Sequence, residues 1–396
     1  PRPEPVARHR LGAAYRGCAV CRPFSCPRGY ADPRTCASGV APSLRMPADS
    51  PPARERHTRH VFANEKDLRA ALADAGLSAP DVAAAVAASR PAVRLTMTDA
   101  EESELALGAS KLGGCPDLPA GFSWPIRQPY PNAAAHAAEW RTQGPRMASS
   151  SEVAARIDED NRRAAAAIES PIPMAHVAQL DFAAIAEVDS TDLDLPATGR
   201  LLLFYDLMEQ PWGFDPAQRG GFAVIYDDSP RETLVRHQPP PSELGLPDWA
   251  ASPPGRGLSF RSGLSMISRN IVGWERLPIS PAGWEVLHDL DMEHLDSPEW
   301  ACHQLGGWPD AVQGEMQTEC ALVTAGHLAG DPDAFTDPTT AHIRQQASEW
   351  TLLLQLASDE KRFVMWGDSG LIYLWIRTDD LRARRFDRAH LILQCF

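Results

Sequence analysis

A six-residue motif of this chain occurs twice with one change. Leu112-Gly-Gly-Cys-Pro-Asp117 returns as Leu305-Gly-Gly-Trp-Pro-Asp310, with five of the six positions identical. Two further pairs follow in the same order. Val177-Ala-Gln-Leu-Asp181 is echoed by Leu353-Leu-Gln-Leu-Ala357, and Gly199-Arg-Leu-Leu-Leu-Phe204 by Gly370-Leu-Ile-Tyr-Leu-Trp375. The partners are offset by 193, 176 and 171 residues, a shrinking series of the kind that loops of unequal length produce. Ordered self-similarity is the mark of a duplicated unit. The echoed runs are short, apolar and bounded by Gly, Pro or Asp, so each unit is expected to be β-rich. The expected fold class is α+β: two repeat-related antiparallel β units with peripheral helices, arranged about a pseudo-twofold axis. The half-repeats would span about 92–237 and about 258–396.

Local signals fill in the frame. Asn64 followed by Glu65 and Asp67 and closed by Gly76 predicts a helix over 65–75. A second helix starts near Ser78-Ala-Pro-Asp81 and must stop before Pro91. Val93, Leu95 and Met97 then alternate with Arg94 and Thr96 as in a strand. Segment 126–172 interrupts the first unit. It is a Pro-rich loop and then an Ala-rich helix capped by Ser151, with Val153, Ile157, Ala164 and Ile168 on one face and charge on the other. It reads as a surface insertion. Strands are expected at 174–180, 200–206, 221–226, 271–277 and 284–288, a loop at 238–257 and a helix from Asp337-Pro338 to about Glu349. A terminal meander should use 352–357, 363–366 and 371–376, followed by a short helix from Thr378 and a last strand at 391–395.

Composition matters mainly at the N-terminus. Residues 1–60 carry eleven Arg against Glu4, Asp32, Asp49 and Glu55, and ten Pro without hydrophobic periodicity. Such a segment cannot bury enough apolar surface to fold alone, so it is expected to be a disordered tail, lying before a true start at Met46, with the folded domain covering 61–396. The formal charge of −14 then divides into +7 on the tail and −21 on the body. An acidic body repels phosphate, so nucleic acid is not an expected partner. No run approaches the roughly 20 apolar residues of a membrane-spanning helix, so neither is a membrane. Cys18-x-x-Cys21 has zinc-knuckle spacing, but nine residues lie between Cys26 and Cys36, and the reading is an unstructured tail without metal. Cys115, Cys302, Cys320 and Cys395 are far apart in sequence, as expected of reduced thiols in a cytoplasmic protein.

Catalytic patterns are weak. Gly367-Asp-Ser-Gly370 is similar to a serine-protease nucleophile loop, but 27 residues from His342 to Ser369 are too few for the two barrels of such a triad; a hairpin turn is expected. No nucleophile elbow, P-loop or dinucleotide fingerprint occurs, and no cofactor is expected. His288-Asp-Leu-Asp-Met-Glu-His294 with Asp296 is rich in metal-capable groups, yet His294 stands where a calcium loop requires glycine. His303 and Cys320 have the residue types of a base–nucleophile pair but no evident third group to orient them. Gln179 and Gln355 are more informative, since each interrupts an apolar strand at the same place in its repeat. A buried amide must be hydrogen-bonded. Two readings stay open: clamps on the Gly-Gly turns, or a symmetric pair facing a cleft between the halves.

Ser110-Lys-Leu-Gly-Gly-Cys-Pro-Asp-Leu-Pro119 with Trp124-Pro125, Ala178-Gln-Leu180, His303-Gln-Leu-Gly-Gly-Trp-Pro-Asp310 with Gln313, and Met365-Trp-Gly-Asp368 together resemble the YwqG-like family, named for a bacterial protein. The segments 199–206, 350–359 and 380–395 are also similar, so the resemblance runs from about residue 92 to 396. It implies a fold and carries no reaction or catalytic residues. The function expected is therefore a cytoplasmic binding or interaction module for a small molecule or protein partner; the alternative is a hydrolase using carboxylates in a cleft between the half-repeats. The candidate ligand-binding residues are Asp117, Gln179, Asp310, Gln355, Trp124, Trp366 and Asp368, with no metal.

Overall fold

Fifteen strands and the helices that cover them account for most of the computed structural model, which describes residues 61–142, 150–188, 191–241, 244, 246, 248–295, 302–359 and 362–396. The chain divides after His57, and these residues belong to the second unit, Thr58–Phe396. The expectations for the tail, with its cysteines and Met46, lie outside the described residues.

The strands are β1 (Val61–Phe62), β2 (Arg90–Glu101), β3 (Lys111–Leu112), β4 (Asp117–Pro119), β5 (Ile126–Arg127), β6 (Ile172–Pro173), β7 (Ala175–Asp181) and β8 (Arg200–Tyr205). They continue with β9 (Phe222–Asp227), β10 (Leu234–Arg236), β11 (Arg256–Ser265), β12 (His303–Gly306), β13 (Trp350–Ala357), β14 (Leu371–Arg377) and β15 (His390–Gln394). One sheet takes eleven of them in the order β15-β14-β13-β12-β2-β11-β3-β7-β8-β9, with β1 alongside β11. Every pairing is antiparallel. Two-stranded ribbons β4–β10 and β5–β6 stand apart from it. With its helices, the protein is a mixed α+β fold.

The sheet curls until its two ends share one core. Leu112, Val177, Leu203 and Tyr205 belong to the same buried cluster as Leu305, Leu354, Trp366 and Ile376. Tyr205 meets Trp366 edge-on at 5.8 Å, and Phe182 packs on Phe386 at 5.9 Å. Because β7, β8, β13, β14 and β15 are covered on both faces, their sequences are almost continuously apolar rather than alternating. Leu393 N donates to Trp212 O at 2.9 Å, so a loop covers the edge strand β15.

Two helices open the described chain: α1 (Glu65–Asp74), where the Asn64 side chain accepts from Asp67 N, and α2 (Ala79–Ala88), where Ser78 accepts from Asp81 N. Leu68, Leu72 and Val82 on these helices pack against Trp284 and Leu287 in a second core. The insertion forms two packed helices, α3 (Ala133–Thr142) and α4 (Ser151–Glu169), which meet through Ala133, Ala137, Ala165 and Ile168. The α4 cap is Ser150 rather than Ser151. Arg127 pins this pair to the body. Its Nε donates to Asp206 Oδ2 at 2.9 Å, and its terminal nitrogens donate to the carbonyls of Ala167, Ile168 and Ser170 at the end of α4.

Several expected elements differ. Segment 271–277 is a loop with a short 3₁₀ turn at Trp274–Arg276, and 284–288 lies within a helix over Pro281–Leu295. The apolar side chains of both segments go into the helical core. His288, Asp289, Asp291 and Glu293 therefore sit on a helix, and Asp296 lies outside the described residues. The central strand β11 falls mostly within a stretch expected to be loop or left unassigned. Residues 363–366 form no strand, and 338–349 breaks into three short turns.

Candidate functional site

The first Gly-Gly turn follows β3 with Gly113 and Gly114 both left-handed, at φ 64° and 67°. A side chain on Gly113 would place its Cβ 2.4 Å from Pro254 O, so the close approach of that loop requires glycine. Gln179, paired with Lys111 across β3–β7, reaches over the turn. Its Oε1 accepts from Asp117 N at 2.8 Å, and its Nε2 donates to Ala109 O at 2.8 Å and to Asp117 Oδ2 at 3.0 Å. That exhausts the two amide donors of a side chain with no exposed surface.

Around this amide lies a buried ionic cluster. Lys111, fully buried, donates from Nζ to Glu102 Oε1 at 2.8 Å, to Asp117 Oδ2 at 3.2 Å and to Cys115 O. Arg236 Nε donates to Asp117 Oδ1 at 2.8 Å, and Gly108 N to Oδ2 at 3.0 Å. Burial pushes the Asp117 carboxyl up, but Arg236, Lys111, Gln179 and Gly108 together outweigh it and hold the group below the usual carboxylate range. A lysine with no exposed surface is tolerable only with such partners, because an unpaired buried charge costs several kcal/mol, on the order of 3–5. His176 Nδ1 faces the carbonyls of Gly113 and Gly114, both at 3.1 Å. Burial, with Lys111 second, depresses its pKa to about 3, so the ring is neutral and Nδ1 donates.

The same bonds recur at the second turn, where Gly306 and Gly307 have φ 70° and 74°. Gln355 Oε1 accepts from Asp310 N at 2.9 Å; its Nε2 donates to Cys302 O at 3.0 Å and to Asp310 Oδ2 at 2.8 Å. Ser110 Oγ accepts from Asp181 N at 2.8 Å, and His303 Nδ1 accepts from Ala357 N at 3.1 Å. Lys111 donates to the carbonyl of Cys115, and Gln304 Nε2 to that of Trp308 at 2.6 Å. The positions agree while the chemistry changes. A buried cation at the first turn is replaced by a neutral amide at the second.

Of the sequence-predicted residues, Asp117 joins Gln179 and Asp310 joins Gln355, each pair buried. Among the described residues, no hydrogen bond or ion pair links one pair to the other. Trp124 stacks edge-on against Phe204 at 5.5 Å and donates to Met174 O. Trp366 is buried and donates to Ala357 O at 3.2 Å. Asp368 lies exposed on the turn before β14, apart from the others. Cys320 lies in a cluster with Met316, Trp350 and Tyr373, whereas His303 spends Nδ1 on Ala357 N, and no hydrogen bond joins the two among the described residues. Among the described residues, no group of three or more His, Cys, Asp or Glu is placed to hold a metal.

Sequence reasoning missed two features. One is the ionic cluster, whose available signal was Lys111, one of only three lysines in the chain. The other is a pocket of about 390 Å³ beside the second turn, lined by the end of α2, Arg90, Asp192, Ile271, Leu277 and Trp308. Trp308 stands at the position of Cys115 in the first turn. Its backbone N donates to Ser265 Oγ at 2.7 Å, its Nε1 donates to Ala88 O at 2.7 Å, and the Arg90 guanidinium lies over its ring at 3.8 Å.

A curled antiparallel sheet carrying two glutamine-clamped Gly-Gly turns, one ionic and one opening beside a pocket, defines the kind of protein this is. Residues 110–395 match the family described as a domain of unknown function (DUF1963), and the chain belongs to that family. No curated protein matches the chain. The match begins just before β3, so α1, α2 and β2 lie outside it although β2 is central to the sheet.

Proposed function

We propose that this protein is a small-molecule-binding module of the YwqG-like type, built from two copies of one β unit, with its ligand site in the pocket beside the second Gly-Gly turn. The matched bonds of Gln179 and Gln355 support the duplication. So does the sheet order, in which β3-β7-β8 and β12-β13-β14 run outward from the central β2–β11 pair. Register irregularities at His176/Ala178 and Leu352/Leu354 fall at the same place in each half. The observation that carries the binding reading is a contrast: the Asp–Gln pairs spend their amides inside the protein, whereas Trp308 and Arg90 wall an open pocket. A hydrolase would need a reachable carboxylate able to trade protons. Asp117 is sealed and held ionised by two cations, which favours the module. The four described cysteines are buried thiols outside any disulfide among the described residues, in keeping with a cytoplasmic setting, and no described helix is long and apolar enough to cross a membrane. On this reading residues 1–60 are an appendage to the domain.

The reading is tested by native mass spectrometry of the full chain purified under mild conditions, alongside Trp308→Ala. A small-molecule adduct carried by the wild type and lost from the variant is expected. An adduct retained by Trp308→Ala, or ester hydrolysis that Asp117→Asn abolishes, would overturn it.

A further inference from the structure

The chemistry of the pocket narrows its ligand. The Arg90 guanidinium carbon lies 3.8 Å from the centre of the Trp308 indole, and a guanidinium over an aromatic face can keep its in-plane N–H groups for other partners. Among the described residues, no hydrogen bond engages the Arg90 terminal nitrogens; the nearest anion is Asp192 Oδ2, 3.6 Å from Nε. The cation is partly buried, and that burial lowers its pKa while Asp192 opposes the change. A half-desolvated guanidinium with an unused fork is suited to a carboxylate, which it can bind bidentately. Two features limit the charge of that ligand. Asp192 already offsets much of the arginine, and the C-terminal, negative end of α2 borders the pocket at Ala87–Ser89. Both features add negative potential, so a phosphate dianion is disfavoured more strongly than a monoanion, whose single charge the Arg90 guanidinium can still meet directly. Ile271, Val272 and Leu277 supply the apolar part of the wall beside polar backbone and charged groups, and the volume is near the small end of ligand cavities.

We propose that this pocket binds a small monocarboxylate with an apolar body, its carboxylate on the Arg90 fork and its body against Ile271 and Leu277. The inference rests on the binding reading above. Trp308 supplies the reporter, because its Nε1–H has a single fixed partner, Ala88 O. The full chain, labelled with ¹⁵N at its indoles and with the Trp308 resonance assigned by Trp308→Phe, is titrated with benzoate, benzamide and inorganic phosphate. Benzoate is expected to shift that resonance saturably, and its neutral isostere benzamide to bind about tenfold weaker or worse, the equivalent of one charge-assisted contact. Phosphate should give no saturable shift. Arg90→Gln should bring benzoate down to the affinity of benzamide. Arg90→Lys, which keeps the charge and loses the fork, should fall between them. Equal binding of benzoate and benzamide to the wild type overturns the carboxylate assignment and leaves the pocket reading standing. Tighter binding of phosphate than of benzoate overturns the charge argument. No shift with any of the three overturns both the assignment and the site.

Discussion

Replacing Gln355 with leucine removes one side chain of nearly unchanged size and breaks three hydrogen bonds. Asp310 N–H and Cys302 C=O are left buried without the amide, and Asp310 Oδ2 loses a donor. A stranded buried polar group costs about 1–3 kcal/mol, so the two backbone groups together cost about 2–6. Exchanging a buried amide for an alkyl group returns about 1–2 kcal/mol, leaving a net loss of about 2.5 from the middle of those ranges. Gln179→Leu strands Asp117 N–H and Ala109 C=O in the same way and should lie within about 1 kcal/mol of it. Urea unfolding followed by far-ultraviolet circular dichroism gives the midpoints, and an unchanged slope shows that the states compared are the same. Gln355→Glu sharpens the test. It sets a second carboxyl at the position of an amide nitrogen 2.8 Å from Asp310 Oδ2, so it should be more harmful than leucine near neutral pH and partly recover as the pH falls. If either leucine variant unfolds within about 0.5 kcal/mol of the wild type, the stranded groups have found water and the clamps are not sealed.

Stability should be greatest near pH 6.5. His176 is depressed by burial to about 3, and His303 and His390 to about 4, so below their unfolded value of 6.5 the unfolded chain binds more protons and stability falls with acid. Glu209 and Glu319 are raised by burial to about 8, so between 4.5 and 8 the folded chain holds the extra protons and stability falls as the pH rises. Between pH 4.5 and 6.5, three histidines against these two carboxyls leave a slope of at most about 1.4 kcal/mol per pH unit, because burial raises Glu315 as well, and above 6.5 the two carboxyls alone give about 2.7 in the opposite sense. Urea midpoints that rise steadily from pH 6.5 to 8 would refute this balance. A chain beginning at Val61 should melt within about 2–4 °C of the full length, the shift expected for about 1 kcal/mol; loss of cooperative unfolding on scanning calorimetry would show that the tail supports the domain.

The sequence by itself determined the elements whose signals are local. Asn64 and Ser78 announce α1 and α2 because a capping side chain satisfies its own helix's N–H groups, and no distant partner is required. β7, β8, β13 and β14 were legible because strands covered on both faces must be apolar throughout. The α+β class follows from these. The two glutamines stood out because an amide inside such a run needs partners, but nothing local said which.

Tertiary structure decided the rest. Strand β11 is half-exposed, with glycines at 257 and 263 and serines at 259, 262 and 265, and so carries no strand signal of its own; it is a strand because β2 pairs with it over nine positions. Trp284 and Leu287, three residues apart, pass for a strand in so short a window, and only their contact with Leu68 and Leu72 across a second core makes them one helical face. Lys111 and Asp117 lie six residues apart in sequence, while Arg236, which completes their charge balance, comes from β10, 119 residues beyond Asp117. The pocket is still less local: Arg90 opens β2 and Trp308 follows a turn 218 positions later, and they meet only because β2 and β12 are neighbours in the sheet. Caps and apolar runs are settled between adjacent residues, whereas charge compensation and cavities depend on which strands pair.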